Sequence, residues 1–338
     1  MSKSIIKLNS AIISAGSVVG KKEHEGPIGK LFDMHDMEDR FGQKTWEQAE
    51  AEMQRLAANA ALAKCGLDEN SIDVMFAGDL INQCTSSAYG LLEYNVPFMG
   101  LYGACSTAIE GLILSSVMTS FGVYKRCLSV TSSHNCSAER QFRTPLEYGA
   151  QRAPTAQWTV TGAGAFVTEN ADSENAAGKA RIVEAMPGIS VEKGIKDAGN
   201  MGAAMAPAAL STLMRYFNES GKNPSDFDLI VTGDLGYEGI SILGELLMAE
   251  GIDAKEKLND CGMMIFSRKT QDTHSGGSGC GCSAVVLASY LLPKLESGEL
   301  QDILIMGTGA LMSPDSIKQG LGIPGIAHLI HITAGGKS

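Results

Sequence analysis

Apolar and polar positions alternate along the 338 residues in blocks of two periods. "WEQAEAEMQRLAANAALAKCG" (46–66) spaces its apolar residues three and four apart, which predicts a helix with one buried face. "SIDVMFAGDL" (71–80) follows as a short apolar run closed by Gly-Asp-Leu, the pattern of a buried strand. The same succession returns later: "PAALSTLMRYFNESG" (207–221) predicts a helix and "DFDLIVTGDL" (226–235) a strand with the same ending, 155 residues further on. The Met-rich run "MGAAMAPAALSTLM" (201–214) predicts a core helix broken at Pro207.

A second echo keeps the order. "ACSTAIEGLILSSVMTSFGVYKRCLSVTSS" (104–133) is answered by "GCSAVVLASYLLPKLESGELQDILIMGTGA" (281–310), with Cys105-Ser106 matched by Cys282-Ser283 at an offset of 177. Loop insertions absorb the change of offset. Two similar α/β units follow from the pair of echoes, with boundaries at 1–179 and 180–338, the second opening on the strand pattern "ARIVEAMPGISV". Within the first unit, 134–159 is a polar excursion, longer than ordinary connections and of the kind that carries function or an interface.

Composition changes the picture mainly by exclusion. A net charge of −11 without a Lys/Arg-rich run argues against nucleic acid or an anionic membrane surface as the main ligand. No apolar stretch approaches the ~20 residues of a membrane helix, and the first twenty residues lack a secretory core, so a soluble cytosolic protein is expected. Eight cysteines are too few for a disulfide scaffold. Cys280 and Cys282 form a lone C-x-C, against the roughly four ligands of a structural zinc site, and "GGSGCG" lacks phosphate-loop spacing. Neither a metal nor a cofactor is expected.

The segment with candidate chemistry is "GLYGACSTAIEGL" (100–112), where Cys105 stands between small residues at a strand-to-helix turn. Unpaired N–H groups and the helix dipole at such a place favour the thiolate and form an oxyanion hole. The same residue type is also a common inert core residue.

"YGACSTA", the duplication, "VTGAGAFV" (160–167) and "GGSGCGCSA" (276–284) resemble the thiolase and ketoacyl-ACP synthase superfamily over nearly the whole chain. The resemblance implies two similar halves in five layers, α/β/α/β/α, generally a homodimer, with Cys105 at the nucleophile position. It also shows what is lacking. The family's catalytic histidine position falls near Gly233, beside Asp234, and its second polar partner falls in the Gly277–Ser278–Gly279 turn. Neither place holds histidine or asparagine, Thr161 replaces an acidic residue, and His274 is the one histidine near enough in sequence to be recruited. The condensing machinery reads as dismantled.

Further motifs, "GPIGKLFD", "AGDLINQ", "TSSHNCSAERQFR" and "MGAAMAPAA", resemble the stage V sporulation AD family within that superfamily. This resemblance implies a non-catalytic protein that binds dipicolinic acid (pyridine-2,6-dicarboxylate), free or as its calcium chelate. It implies action with other stage V membrane proteins at the inner spore membrane. Ligand contacts are expected from Cys105, Ser133, His134, Asn135, Arg140, Arg143, Gly233, Asp234 and Ser278, with Gly233 enlarging the cleft. His134 reads equally as a structural hydrogen-bonding group, and Arg140 and Arg143 equally as partners of Glu139, Glu147 or a dimer interface. The alternative function is an acyltransferase of the ketoacyl-ACP synthase III type with Cys105 as nucleophile.

Overall fold

The computed structural model describes residues 4–142 and 152–335. Ten strands carry the architecture. Five lie in the first part of the chain: β1 (Ile6–Gly20), β2 (Val74–Gly78), β3 (Phe98–Leu101), β4 (Arg126–Ser133) and β5 (Gly162–Asn170). Five follow: β6 (Arg181–Met186), β7 (Leu229–Thr232), β8 (Leu258–Asp260), β9 (Asp302–Ala310) and β10 (Gly325–Thr333). The first set runs in space β3-β2-β4-β5-β1 and the second β8-β7-β9-β10-β6, the same order twice. They join where β1 and β6 pair antiparallel, Ile6 opposite Ala185 and Ala11 opposite Arg181.

Helices fill three layers around these strands. α1 (Trp46–Lys64) starts where the Thr45 hydroxyl accepts from the Gln48 N–H, and its small apolar face covers β1 and β5. α2 (Thr107–Ser120) packs on β4 and β3's neighbour β2 on one side and on β9 and β10 on the other, so it lies between the two sets of strands. Beside it runs α6 (Cys280–Val286), which continues through a wider turn at Leu287–Leu291 into Leu292–Ser297. α4 (Met201–Ser220) covers β10 and β9 from outside, and α5 (Gly236–Ala249) lies against α4. α3 (Asn135–Phe142) opens the polar excursion.

Strand alternation shows the layering directly. Ile303 and Ile305 of β9, with Ile330 and Ile332 of β10, join Ile109, Leu112, Val285 and Leu291 in the central core. Their neighbours Leu304, Met306 and Leu329 face outward to Met205, Leu213 and Tyr216 of α4. Met53, Ala57 and Ala61 of α1 close the opposite face over Leu128, Val130 and Val167. The break expected at Pro207 does not occur. α4 runs unbroken through it, held by buried Met205, Ala206, Ala208 and Ala209 on either side of the lost N–H.

α6 approaches β4 and β5 closely because Gly281 has no side chain. A Cβ there would stand 2.3 Å from the Gly162 carbonyl oxygen and 2.9 Å from the Ser133 nitrogen. Alanine normally stabilises a helix interior over glycine by about 1 kcal/mol. Gly281→Ala is expected to do the reverse, lowering unfolding free energy by about 1–3 kcal/mol in urea titration. A stabilised variant would refute this packing.

Candidate functional site

Cys105 sits in the turn between β3 and α2. Ala104 holds a left-handed φ of 52°, a costly conformation for a residue with a side chain. The turn is fixed by short-range bonds: the Ser106 hydroxyl donates to the Gly103 carbonyl at 2.7 Å, and the Thr107 hydroxyl to the Ala104 carbonyl at 2.7 Å. Cys105 is thereby placed two residues before the helix, 6% exposed, with its thiol toward the second half of the chain.

There it meets Asp234, at the end of β7. This carboxylate stands close enough to the Cys105 thiol to act on its charge, and it accepts from the Gly279 N–H at 3.0 Å and the Thr308 hydroxyl at 2.7 Å. Gly279 can turn its N–H this way because its φ is 101°, open to glycine alone at low cost. Gln157 fixes the strand end by donating to the Asp234 carbonyl at 2.5 Å. Burial pushes the Asp234 carboxyl up to about 6 in spite of these two donors. Burial, then Asp234, push the Cys105 thiol well above its ordinary value. The thiolate expected from the helix start is therefore not the favoured form, because desolvation and an adjacent carboxylate outweigh the dipole.

Over Cys105 lies a cavity of about 120 Å³. Both halves of the chain build it: Leu80, Tyr102 and Cys105; Ala138 and Phe142 of α3; Ala156 and Thr159; Met201 at the start of α4; Ser278; and Met312 beyond β9. A cavity of ~150 Å³ holds one benzene ring, so the space suits a single planar ring.

The other expected contacts are dispersed. Ser133 lies behind the wall, its hydroxyl donating to the Val160 carbonyl at 2.7 Å and accepting from the Gly281 N–H. His134 does not line the cavity: Nε2 donates to the Asp39 carbonyl at 2.8 Å and Nδ1 accepts from the Cys136 N–H, beside Trp46. Burial, opposed by that carbonyl, lowers its pKa, which favours the neutral ring. Asn135 starts α3, its N–H donating to the Thr161 hydroxyl. Arg140 pairs with Glu47 of α1. Gly233 does not widen the cleft, since a Cβ there would meet Met306, Ser283 and Thr308 at 3.2–3.4 Å. His274 bonds the Ala153 carbonyl and Asp272, and Arg143 falls outside the described residues. None of the six histidines is among the lining residues. Cys280 uses its thiol on the Ser132 carbonyl at 3.0 Å.

Thr308 and the apolar lining were not singled out from the sequence. Thr308 was within reach, because "TGA" at 308–310 stands in the repeat where "TSS" stands at 131–133.

Buried carboxyls held above their ordinary range also set the stability. Burial pushes Glu23 up to about 8 against the Thr161 N–H, and Asp260, beneath Asp234, up to about 7. Folding thus holds protons that the unfolded chain releases from about pH 4 upward. The stability they contribute is complete below that value and lost as pH rises to about 8, by up to about 1.4 kcal/mol per pH unit for each group. Thermal unfolding is expected several degrees lower at pH 9 than at pH 5.5, with a smaller fall in Glu23→Gln. A melting temperature that rises over this range would contradict the assignment.

Several solved structures share this architecture. They include 3-oxoacyl-[acyl-carrier-protein] synthase III from Aquifex aeolicus VF5 (TM-score 0.59, 14% identity, covering 96% of this chain and 99% of that one). Cerulenin-bound OleA from Xanthomonas campestris gives a TM-score of 0.61 at 16% identity, with 97% of both chains covered. The fold is thus thiolase-like, two similar halves with the Cys105 turn at their junction. The chain belongs to the stage V sporulation protein AD family, whose model matches residues 2–333. It is 42% identical over 326 residues to stage V sporulation protein AD of Bacillus subtilis (strain 168), covering 96% of this chain and 95% of that protein.

Proposed function

We propose that this sporulation protein binds dipicolinic acid in the cavity over Cys105, without condensing chemistry, and supports its loading into the developing spore together with membrane partners. The observation that carries the reading is a ring-sized cavity whose cysteine is held as a thiol by a buried carboxylate. Condensation needs a base matched to the nucleophile and donors for the thioester oxygen. With Asp234 near 6 and the thiol raised, transfer of the proton between them is uphill. What the cavity offers a pyridine ring is apolar contact from Leu80, Ala138 and Phe142, with hydroxyls from Thr159 and Ser278.

Two measurements on the full chain separate this from the acyltransferase reading: calorimetric titration with dipicolinate, with and without calcium, and intact mass after incubation with acyl-CoA or acyl-ACP. Dipicolinate binding with no acyl adduct is expected. Rapid acylation of Cys105 with turnover, and no dipicolinate binding, would overturn the proposal.

A homodimer is part of the same reading. β3 is the last strand on its side, and Phe98, Met99 and Tyr102, at 40–46% exposure, stand beside exposed Tyr89 and Leu92. Such an apolar edge favours pairing with a second copy. Sedimentation is expected to give a dimer that Met99→Lys weakens at least tenfold; a parent monomer at micromolar concentration would refute it. No helix among the described residues is long and apolar enough to cross a membrane, so contact with the inner spore membrane is proposed as peripheral.

A further inference from the structure

The stretch Arg152–Pro154 is a ridge between two recesses. Ala153 lines the cavity over Cys105, and Pro154 faces a second recess of about 500 Å³ whose other wall is Arg268 to Asp272 with His274. At the foot of the ridge Lys22 Nζ stands 3.8 Å above the centre of the Trp158 ring, and the Arg152 guanidinium carbon 4.9 Å from the same centre. Gln271 ties the two walls by donating to the Lys22 carbonyl at 2.7 Å.

Arg152 is only partly used. Its side chain is 8% exposed, Nη2 reaches the Asp272 carbonyl at 2.8 Å and its carboxylate at 3.1 Å, and Nη1 is buried without a partner. A buried donor left unmade costs about 1–3 kcal/mol. Burial, then the nearby Arg152 charge, lower the Lys22 pKa. Asp272 does little to offset these charges, since it is 75% exposed and also pairs with His274. Glu25 is engaged by Lys21 at 3.9 Å. In a chain of net charge −11, two cations crowd on one indole, with Arg268 and Lys269 lining the adjoining recess; Asp272, Glu23 and Glu25 are the acids around Lys22, and none of them takes Arg152 Nη1.

We infer that Lys22, Arg152 and Trp158 form an oxyanion site, separate from the cavity over Cys105, that takes one carboxylate of an aromatic acid on its approach to that cavity. The inference rests on the dipicolinate reading for its ligand. Arg152 Nη1 and Lys22 Nζ donate to the carboxylate in charge-assisted bonds, and the indole meets the ring. The free dianion is held here, away from the buried Asp234 carboxylate.

The chain has two tryptophans, so Trp46→Phe leaves Trp158 as the sole reporter. Dipicolinate without calcium is expected to change its emission saturably. The midpoint should shift at least tenfold upward in Arg152→Gln and in Lys22→Gln, and persist when Ala138→Phe fills the cavity. Arg152→Lys, which keeps the charge, and the melting temperature of each variant control for folding; the Lys22 variant carries the test if Arg152→Gln does not fold. No saturable change, a midpoint indifferent to both substitutions, loss of the signal in Ala138→Phe, or an equal response to inorganic phosphate would each overturn the inference. Failure of the cavity reading looks different: the calorimetric isotherm is then the same in Ala138→Phe, while the Arg152-dependent emission change remains.

Discussion

Ala138→Phe is expected to weaken the tighter calorimetric site for dipicolinate more than about 100-fold, with far-UV circular dichroism unchanged. Ala138 is 4% exposed and projects from α3 into the cavity opposite Cys105, so a phenyl ring there takes the place of the ligand's own. The loss corresponds to roughly 3 kcal/mol, at 1.4 kcal/mol per factor of ten. The added ring also crowds its surroundings, and a fall in unfolding free energy of about 1–3 kcal/mol should accompany it. Unchanged affinity in a folded variant would place the ligand elsewhere.

The second large effect concerns charge. Asp234 titrates at about 6, so above that pH a carboxylate stands under the cavity with no cation among its partners. A unit charge several ångströms from a ligand carboxylate costs about 2 kcal/mol at an effective dielectric near 20. Asp234→Asn is therefore expected to raise affinity for the free acid roughly tenfold to a hundredfold at pH 8. In the parent chain, affinity for the free acid should improve as pH falls through 6, while affinity for the electroneutral calcium chelate stays nearly level. Asparagine tightening both forms alike, or neither, would remove Asp234 from the electrostatics of the site.

Much of the fold was legible because its signals are local. The echo of "VMFAGDL" in "LIVTGDL" placed β2 and β7, which hold the same position in their respective sets of strands. It also placed Asp79 and Asp234 at equivalent strand ends, both buried, one accepting from Ser87 and Ile81 and the other from Gly279 and Thr308. The Cys105 turn was legible for the same reason, since small residues and a helix pattern lie next to each other in the chain.

The site itself was less so, because its contacts join distant segments. Nothing near Cys105 in sequence announces that Asp234 will reach its thiol, and the pKa direction reverses on that contact. His134 read as a donor at a strand exit, but the Asp39 carbonyl, 95 residues away, takes Nε2. Ser133 read as a donor from the same turn, but its proton goes to the Val160 carbonyl and its oxygen accepts from the Gly281 N–H of the closely packed α6. Lys22, Arg152 and Trp158 carry no pattern in sequence at all; only the folded chain brings them together.

The most direct test of the cavity reading is a crystal structure of the full chain with dipicolinate. The account predicts a planar ligand over Cys105, between Ala138 and Phe142 on one side and Thr159 and Ser278 on the other, with the cysteine unmodified. Ligand density confined to another part of the molecule, or an acyl group on the Cys105 sulfur after incubation with acyl-CoA, would contradict it.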